Sequence, residues 1–345
     1  MKKKSTITIY DLAKELNVSP STVSRALNDH YSIGKKTIKT IKKLAKDRGY
    51  SINSVAASLR KQQTNNIGVL VSWIKRPFQS SLISGMEEAA RESGYNVLIS
   101  QSHDKYDHEI ENTNAFYDSR ICGLVVSLAM ETTDYKHLER FIDNGTPVVF
   151  VDRIPGHLDG YKVVINNFES AMKATLHLVE QGCRRIAYFG GTENQVIYAE
   201  RKRGYIEALK LSGLPIDESI ILHGDNLSAD EGVKWTTYLL GLDNPPDGIF
   251  STNDTAAVSA IQYAKSVGKR IPEDLAIIGF NNDPLCLIID PPLSTVHHPA
   301  FDMGKLAVEQ IIRIMEAEET IPVQTIMLET EVIIRASSLR KKPLD

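Results

Sequence analysis

The stretch Ile7–Asn28, ITIYDLAKELNVSPSTVSRALN, decides how the chain begins to fold. Ile9, Leu12, Ala13 and Leu16 recur at helical spacing, which predicts one short helix hiding that face. Asn17-Val18 makes a tight connection. Ser19 then stands where an N-cap belongs, Pro20 takes the first helical position, and Val23 and Leu27 follow one turn apart. Two short helices so closely joined read as a helix-turn-helix, whose second helix enters the DNA major groove. That helix turns Ser21, Thr22, Ser24 and Arg25 outward. Small donors allow close approach to base edges, and a guanidinium can pair bidentately with guanine. The competing reading is an ordinary helical hairpin with a solvated arginine.

Charge is distributed to suit the first reading. Residues 1–63 hold 14 Lys and Arg against four acidic side chains, a net of +10, while the remaining 26 basic and 39 acidic residues give −13. A basic head on an acidic body fits a module that meets phosphates and a body that does not. With 345 residues the chain has room for two or three domains. Cys122, Cys183 and Cys286 are far apart and lack CxxC pairing, so buried inert thiols are expected rather than disulfides or a metal site. Met1-Lys2-Lys3-Lys4 is followed by no apolar segment, and no apolar run spans a bilayer, so the expected location is the cytoplasm.

A third helix is expected over about residues 35–48, with Ile38, Ile41, Leu44 and Ala45 inward and Gly49 as its stop. Residues 53–59, NSVAASL, read as a helix too short to stand alone, and the polar run 60–66 reads as a linker. This segment is either a plain connector or one that orders only against DNA or a partner. From Ile67 short apolar strands alternate with helices: 67–72, 95–100, 123–127 and 147–151, then 163–165, 185–189, 220–222, 248–250 and 275–280. Such alternation implies parallel strands joined by crossover helices, in two similar halves flanking a cleft. The late segments 294–298, 302–315 and 325–334 are expected to cross back and complete both sheets.

Over nearly its whole length the chain resembles the lactose-repressor (LacI/GalR) family of bacterial transcription regulators. The stretches that carry the likeness are TIYDLAKELNVSPSTVSRALN, NSVAASL, PVVFVDR, ATLHLVEQGCRRIAYFGG, RKRGYIEAL, GIFSTNDTAAVSAIQYAKSVGKRIPEDLAIIGFNND and PPLSTVHHPAFDMGKLA. The resemblance implies an α/β chain with a three-helix helix-turn-helix head, a hinge helix and a two-lobed, periplasmic-binding-protein-like body with parallel sheets. It divides the chain into a head (1–51), hinge and linker (52–66), an N-lobe (67–165 plus 294–323) and a C-lobe (166–293 plus 324–345). It also implies a homodimer on double-stranded operator DNA, with a small effector, a sugar or sugar-derived metabolite, held between the lobes.

Carried over by position, Pro20, Ser21 and Arg25 would read base edges. Pro20 has no hydrogen-bonding side chain, so readout leans on Ser21, Thr22 and Arg25, with Ser24 beside them. Thr8 and Tyr10 would anchor the head to the backbone, and Ser19 and Asn28 complete the set at the helix ends. Ala56 would let two hinge helices approach, and Leu59 would wedge into the minor groove; the alternative for Leu59 is an anchor onto the body. Ile52, Gly34 and Ile38 depart from the family's usual proline, serine and arginine. In the cleft the resemblance assigns Phe78, Gln79, Asp152, Arg153, Arg201, Trp235, Asn253 and Asn281 to the effector. Asp152–Arg153 could instead be only a local ion pair. Asn281 departs from the family's usual aspartate, which leaves a different ligand, or a sugar phosphate, open.

Enzyme readings find no support in the sequence: there is no GxGxxG after a strand, no Walker loop and no GxSxG elbow. His103/His108 and His297/His298 lack zinc spacing and are expected at surface or crossover positions. Asp104, Asp107, Glu109 and Glu111 read as a solvated helix face. No cofactor, metal or catalytic set is expected. The rival functions are a periplasmic-type solute receptor and a DNA-processing enzyme carrying a helix-turn-helix.

Overall fold

The computed structural model describes residues 7–50 and 64–340. They fall into two compact units that divide at Thr64/Asn65.

The first unit contains α1 (Ile9–Glu15), α2 (Pro20–Leu27) and α3 (Lys35–Asp47). A capping box starts α1: the Asp11 amide donates to Thr8 Oγ1, and Thr8 N donates back to Asp11 Oδ2 at 2.8 Å. Asn17 adopts a left-handed φ of 54° to make the turn. Ser19 Oγ then accepts the Thr22 amide at 3.1 Å, and Pro20 opens α2. Leu12, Ala13, Val23, Ala26, Ile41 and Ala45 close a small core among the three helices. Gly34 caps α3 without any side-chain bond.

The second unit is built on two six-stranded sheets. Its elements in order are β1 (Asn66–Val71), α4 (Pro77–Glu92), β2 (Asn96–Gln101), α5 (Tyr106–Asp118), β3 (Gly123–Val126), α6 (Lys136–Asp143), β4 (Val148–Val151) and β5 (Tyr161–Ile165). There follow α7 (Asn167–Glu180), β6 (Ile186–Gly191), α8 (Val196–Leu211), β7 (Ile221–Gly224), α9 (Ala229–Leu240), β8 (Gly248–Ser251), α10 (Asp254–Ser266), β9 (Ala276–Asn281) and α11 (Leu285–Ile288). The last are β10 (Ser294–His297), α12 (Ala300–Glu316), β11 (Thr325–Leu328) and β12 (Glu331–Ile333). One sheet runs β11-β5-β4-β3-β1-β2 and the other β12-β10-β9-β8-β6-β7. All pairings are parallel except β10 with β12. Strands such as Val148–Val151 are buried along their whole length, as parallel strands covered on both faces must be.

Among the described residues the chain crosses between lobes three times: after β5, at His298, and at Glu329-Thr330. Two boundaries therefore move from the expected division. β10 belongs to the second sheet, pairing with β9, and β11 belongs to the first, pairing with β5. The sequence of residues 325–334, TIMLETEVII, does carry a mark: the polar run Glu329-Thr330-Glu331 interrupts it where the chain changes sheets. The first lobe also depends on a close helix crossing. A Cβ at Gly85 would stand 2.0 Å from Phe301 O, and one at Gly304 2.0 Å from Leu82 O, so α4 and α12 touch backbone to backbone.

Candidate functional site

In the head, Thr8, Tyr10, Ser19, Ser21, Arg25 and Asn28 are exposed, with Pro20, Thr22 and Ser24 half-buried. Val23 and Ala26 turn inward, so α2 offers solvent one strip of small polar groups and a guanidinium. Ser19, Ser21 and Thr22 hydroxyls already bond one another at 2.7 and 2.9 Å, which fixes their orientation. Tyr10 is 70% exposed, unusual for a tyrosine without a partner surface. Ala56 and Leu59 lie outside the described residues.

In the body, a cavity of about 420 Å³ opens between the carboxyl ends of the two sheets, where open α/β sheets hold ligands. It brings together Phe78, Gln79, Asp152, Arg153, Arg201, Asn253 and Asn281, seven of the eight expected residues. Trp235 does not reach it. Its indole is packed in the second lobe's core, 5.0 Å from the Phe189 ring, because α9 turns that face toward the sheet. Two residues at the cavity wall take strained backbone: Asp152 has φ 61° and Asn281 φ 122°.

Arg201 is firmly held. Its Nε donates to Asn167 Oδ1 at 2.8 Å, Nη1 to Thr252 O at 3.0 Å, and its plane lies 3.7 Å over the Phe280 ring. Burial lowers its pKa, and Asp152 opposes that shift. Asn253 lines the cavity but spends its amide internally, accepting from Ala256 N to cap α10 and donating to Leu227 O at 2.8 Å. Arg153 does not pair with its neighbour in sequence. Its guanidinium binds Asp104, which also accepts Trp73 Nε1 at 2.9 Å and lies 3.6 Å from Arg76. Burial works to raise the Asp104 carboxyl, but Arg153 and Arg76 outweigh it and hold it below the usual carboxylate range. The same pairing lifts Arg153 above its usual value, against the effect of its own burial.

Asp152 has no hydrogen-bond donor among the described residues, and burial pushes its carboxyl up, with Arg153 and Arg201 opposing. His298, at the second crossing, stands 3.9 Å from Asp152 and packs 4.3 Å from the Phe78 ring. Neither of its nitrogens has a partner among the described residues. Burial, with Arg201 and His297 nearby, keeps its pKa well below the usual imidazole value. Asp283 also lines the cavity, pushed up to about 7 by burial and by Asp254.

Residues 8–53 match the family described as bacterial regulatory proteins, lacI family, and residues 175–338 match a periplasmic binding protein-like domain. The chain is 31% identical over 333 residues to catabolite control protein A of Priestia megaterium, covering 96% of this chain and 99% of that protein. It is also 31% identical over 337 residues to the transcriptional repressor CytR of Escherichia coli strain K12, covering 98% of each. This protein belongs to the lacI family. Among solved structures, the complex of the transcriptional regulator CelR with cellobiose matches at TM-score 0.73 and 26% identity, covering 96% of this chain and 99% of that one. The lac repressor dimer bound to operator and an anti-inducer shares the fold at TM-score 0.83 and 21% identity, over 97% and 100% of the two chains. The lacI-family chain is thus a DNA-binding transcriptional regulator with a ligand-binding body.

Several cleft residues of this lacI-family chain escaped the sequence reading: Trp73, Lys75, Arg76, Tyr198 and Asp283, with Asp104 behind them. The acidic group 104–111 is not wholly solvated. Asp107 and Glu111 are exposed, whereas Asp104 is buried against Arg153, and Glu109 is fully buried. Glu109 accepts from Ala129 N at 2.7 Å, Thr132 Oγ1 at 2.8 Å and His137 at 2.9 Å. A signal was available: Glu109, Thr113 and Phe116 share one helical stripe. The loop Glu109 holds meets the second lobe directly. There Gln195 Nε2 donates to Ala129 O at 2.8 Å, and Met130 sits in the second lobe's core.

Proposed function

We propose that this lacI-family chain is a cytoplasmic, effector-controlled repressor without enzymatic activity. Two copies present α2 to half-sites of a near-palindromic operator about 34–36 Å apart. Arg25 supplies bidentate base readout, Ser21, Thr22 and Ser24 approach base edges, and Thr8, Tyr10, Ser19 and Asn28 meet the backbone. The exposed Leu285, Leu287 and Ile288 of α11 offer an apolar face for a second copy of the body.

The effector is a polyhydroxylated metabolite gripped by both lobes. One observation carries this reading: Asp152 and Arg153, Arg201, and Asn281 converge on a single cavity from the ends of different strands and helices of both lobes. The unpartnered Asp152 carboxylate accepts ligand hydroxyls, and Arg201 Nη2, with no partner among the described residues, donates to a ligand oxygen. That CelR is seen with cellobiose supports a carbohydrate. Ligand in the cleft alters the lobe angle and so the spacing of the two heads, coupling the two sites reciprocally. Thermal-shift screening against sugars, sugar phosphates and nucleobases tests the reading, since a ligand stabilises the state it binds. The expected hit loses its effect in Arg201→Ala. A hit with equal effect in that variant binds elsewhere and contradicts the assignment.

A further inference from the structure

The cavity carries more positive charge than its own carboxylates answer. Lys75, Arg76, Arg153 and Arg201 line it, against Asp152 and Asp283. Asp104 serves both Arg153 and Arg76. Lys75 has no ion-pair or hydrogen-bond partner among the described residues; its ammonium lies 4.9 Å from the Trp73 ring centre. Arg153 Nε is buried without a partner although the residue lines the cavity, in a side chain only 4% exposed. The nearby Glu231 is committed to capping α9 through the amides of Asp225 and Ser228. A buried donor wants a partner, and Arg153 Nε has none among the described residues, while the exposed Lys75 adds a solvated charge to the same wall.

Backbone adds to the same end. The 16-residue helix α4 begins at Pro77, directly after Lys75-Arg76, and its N-cap residue contributes no side-chain bond. Pro77, Phe78 and Gln79 all line the cavity, so the positive end of α4 opens into it. Beside it, the Trp73 indole is pinned by Asp104 and forms a flat wall on which a ring can lie.

Resting on the effector cleft proposed above, we infer that this cavity takes a phosphomonoester of a polyhydroxylated metabolite, its phosphate seated by Lys75, Arg76 and the first turn of α4, with Arg153 Nε as an inner donor. The hydroxyl-bearing part meets Asp152, Asn281 and Arg201. A phosphate supplies three acceptor oxygens and nearly two charges, matching several divergent donors better than a neutral hydroxyl does.

The test uses the full chain with Trp235→Phe, which leaves Trp73 as the only tryptophan. Fluorescence is titrated with inorganic phosphate at constant ionic strength, so that general salt effects do not contribute to the signal. The expected result is a saturable change, weakened at least tenfold by Lys75→Glu, an exposed position that leaves the core intact. Acetate and propionate in parallel should give no saturable change. No saturable response to phosphate, or an equal one in Lys75→Glu, overturns the inference. An equal response to the carboxylates overturns the phosphomonoester assignment. Neither result touches the cleft reading itself, which stands or falls on the Arg201→Ala comparison with intact sugars.

Discussion

Removing the Asp104 carboxylate should cost more than any other single change at the cleft wall. Asp104→Ala strips Arg153 of its buried counter-charge and Trp73 Nε1 of its acceptor. Stranding a buried charge typically costs about 3–5 kcal/mol. Counting bonds gives a similar figure, about 1.5–3 kcal/mol for the charged one and about 0.5–1.5 for the indole. Replacing both partners is a different matter, because Arg153→Met fills the space without charge. The double variant should recover about 2 kcal/mol or more of the loss, a coupling expected of residues in direct contact. Urea unfolding of the body, followed by circular dichroism, reads these differences. The pH dependence has a fixed sign. A carboxyl held below its unfolded value of 3.8 stabilises the fold fully above that value, and the benefit disappears as pH falls through the folded value. The gap between wild type and Asp104→Ala should therefore narrow in acid. A cost below about 1 kcal/mol, or no recovery in the double variant, would refute the claim that Asp104 is the buried counter-charge of Arg153.

Other outcomes follow from the same geometry. Asp283, raised to about 7, should make the body less stable as pH climbs from about 4 to 7. Asp283→Asn should accordingly stabilise at pH 8 more than at pH 5, by about 1–3 kcal/mol at the higher value; equal effects at both would remove the buried charge from the account. Gln195→Ala, which unties the second lobe from the Ala129–Met130 loop, should cost about 1–3 kcal/mol and loosen lobe closure in solution scattering; an unchanged scattering profile would deny it a clasping role. Arg25→Ala should weaken operator binding by about 1–3 kcal/mol while sparing random DNA, as competition gel shifts can show.

How far the sequence reached depends on what kind of signal each feature leaves. The head was legible because the apolar spacing of α1 and the Ser19-Pro20 start of α2 are local signals, each acting within a helical turn or two. The two sheets were legible from their apolar strands, but not the lobe to which β10 and β11 belong. Pairing partners are a tertiary choice that an edge strand such as Thr325–Leu328 does not encode locally. The family pattern located Arg201 and Asp152 correctly at the cavity. It failed at Trp235, where a large aromatic fitted the core better than the wall. The Asp104 and Glu109 networks were missed because charge alone suggested solvent. Only the fold reveals that Arg153, 49 positions away, and the 129–132 loop were waiting for those carboxylates.

The most direct test of ligand-controlled, sequence-selective DNA binding is one titration. A genomic fragment enriched by the full chain is compared with random DNA at fixed salt, with and without deproteinised metabolite extract, for wild type and Arg201→Ala. The account predicts at least about a thousandfold preference for the enriched fragment, an extract-dependent change in that affinity for wild type, and no such change for Arg201→Ala. Equal affinity for both DNAs, or an extract effect that survives Arg201→Ala, would contradict it.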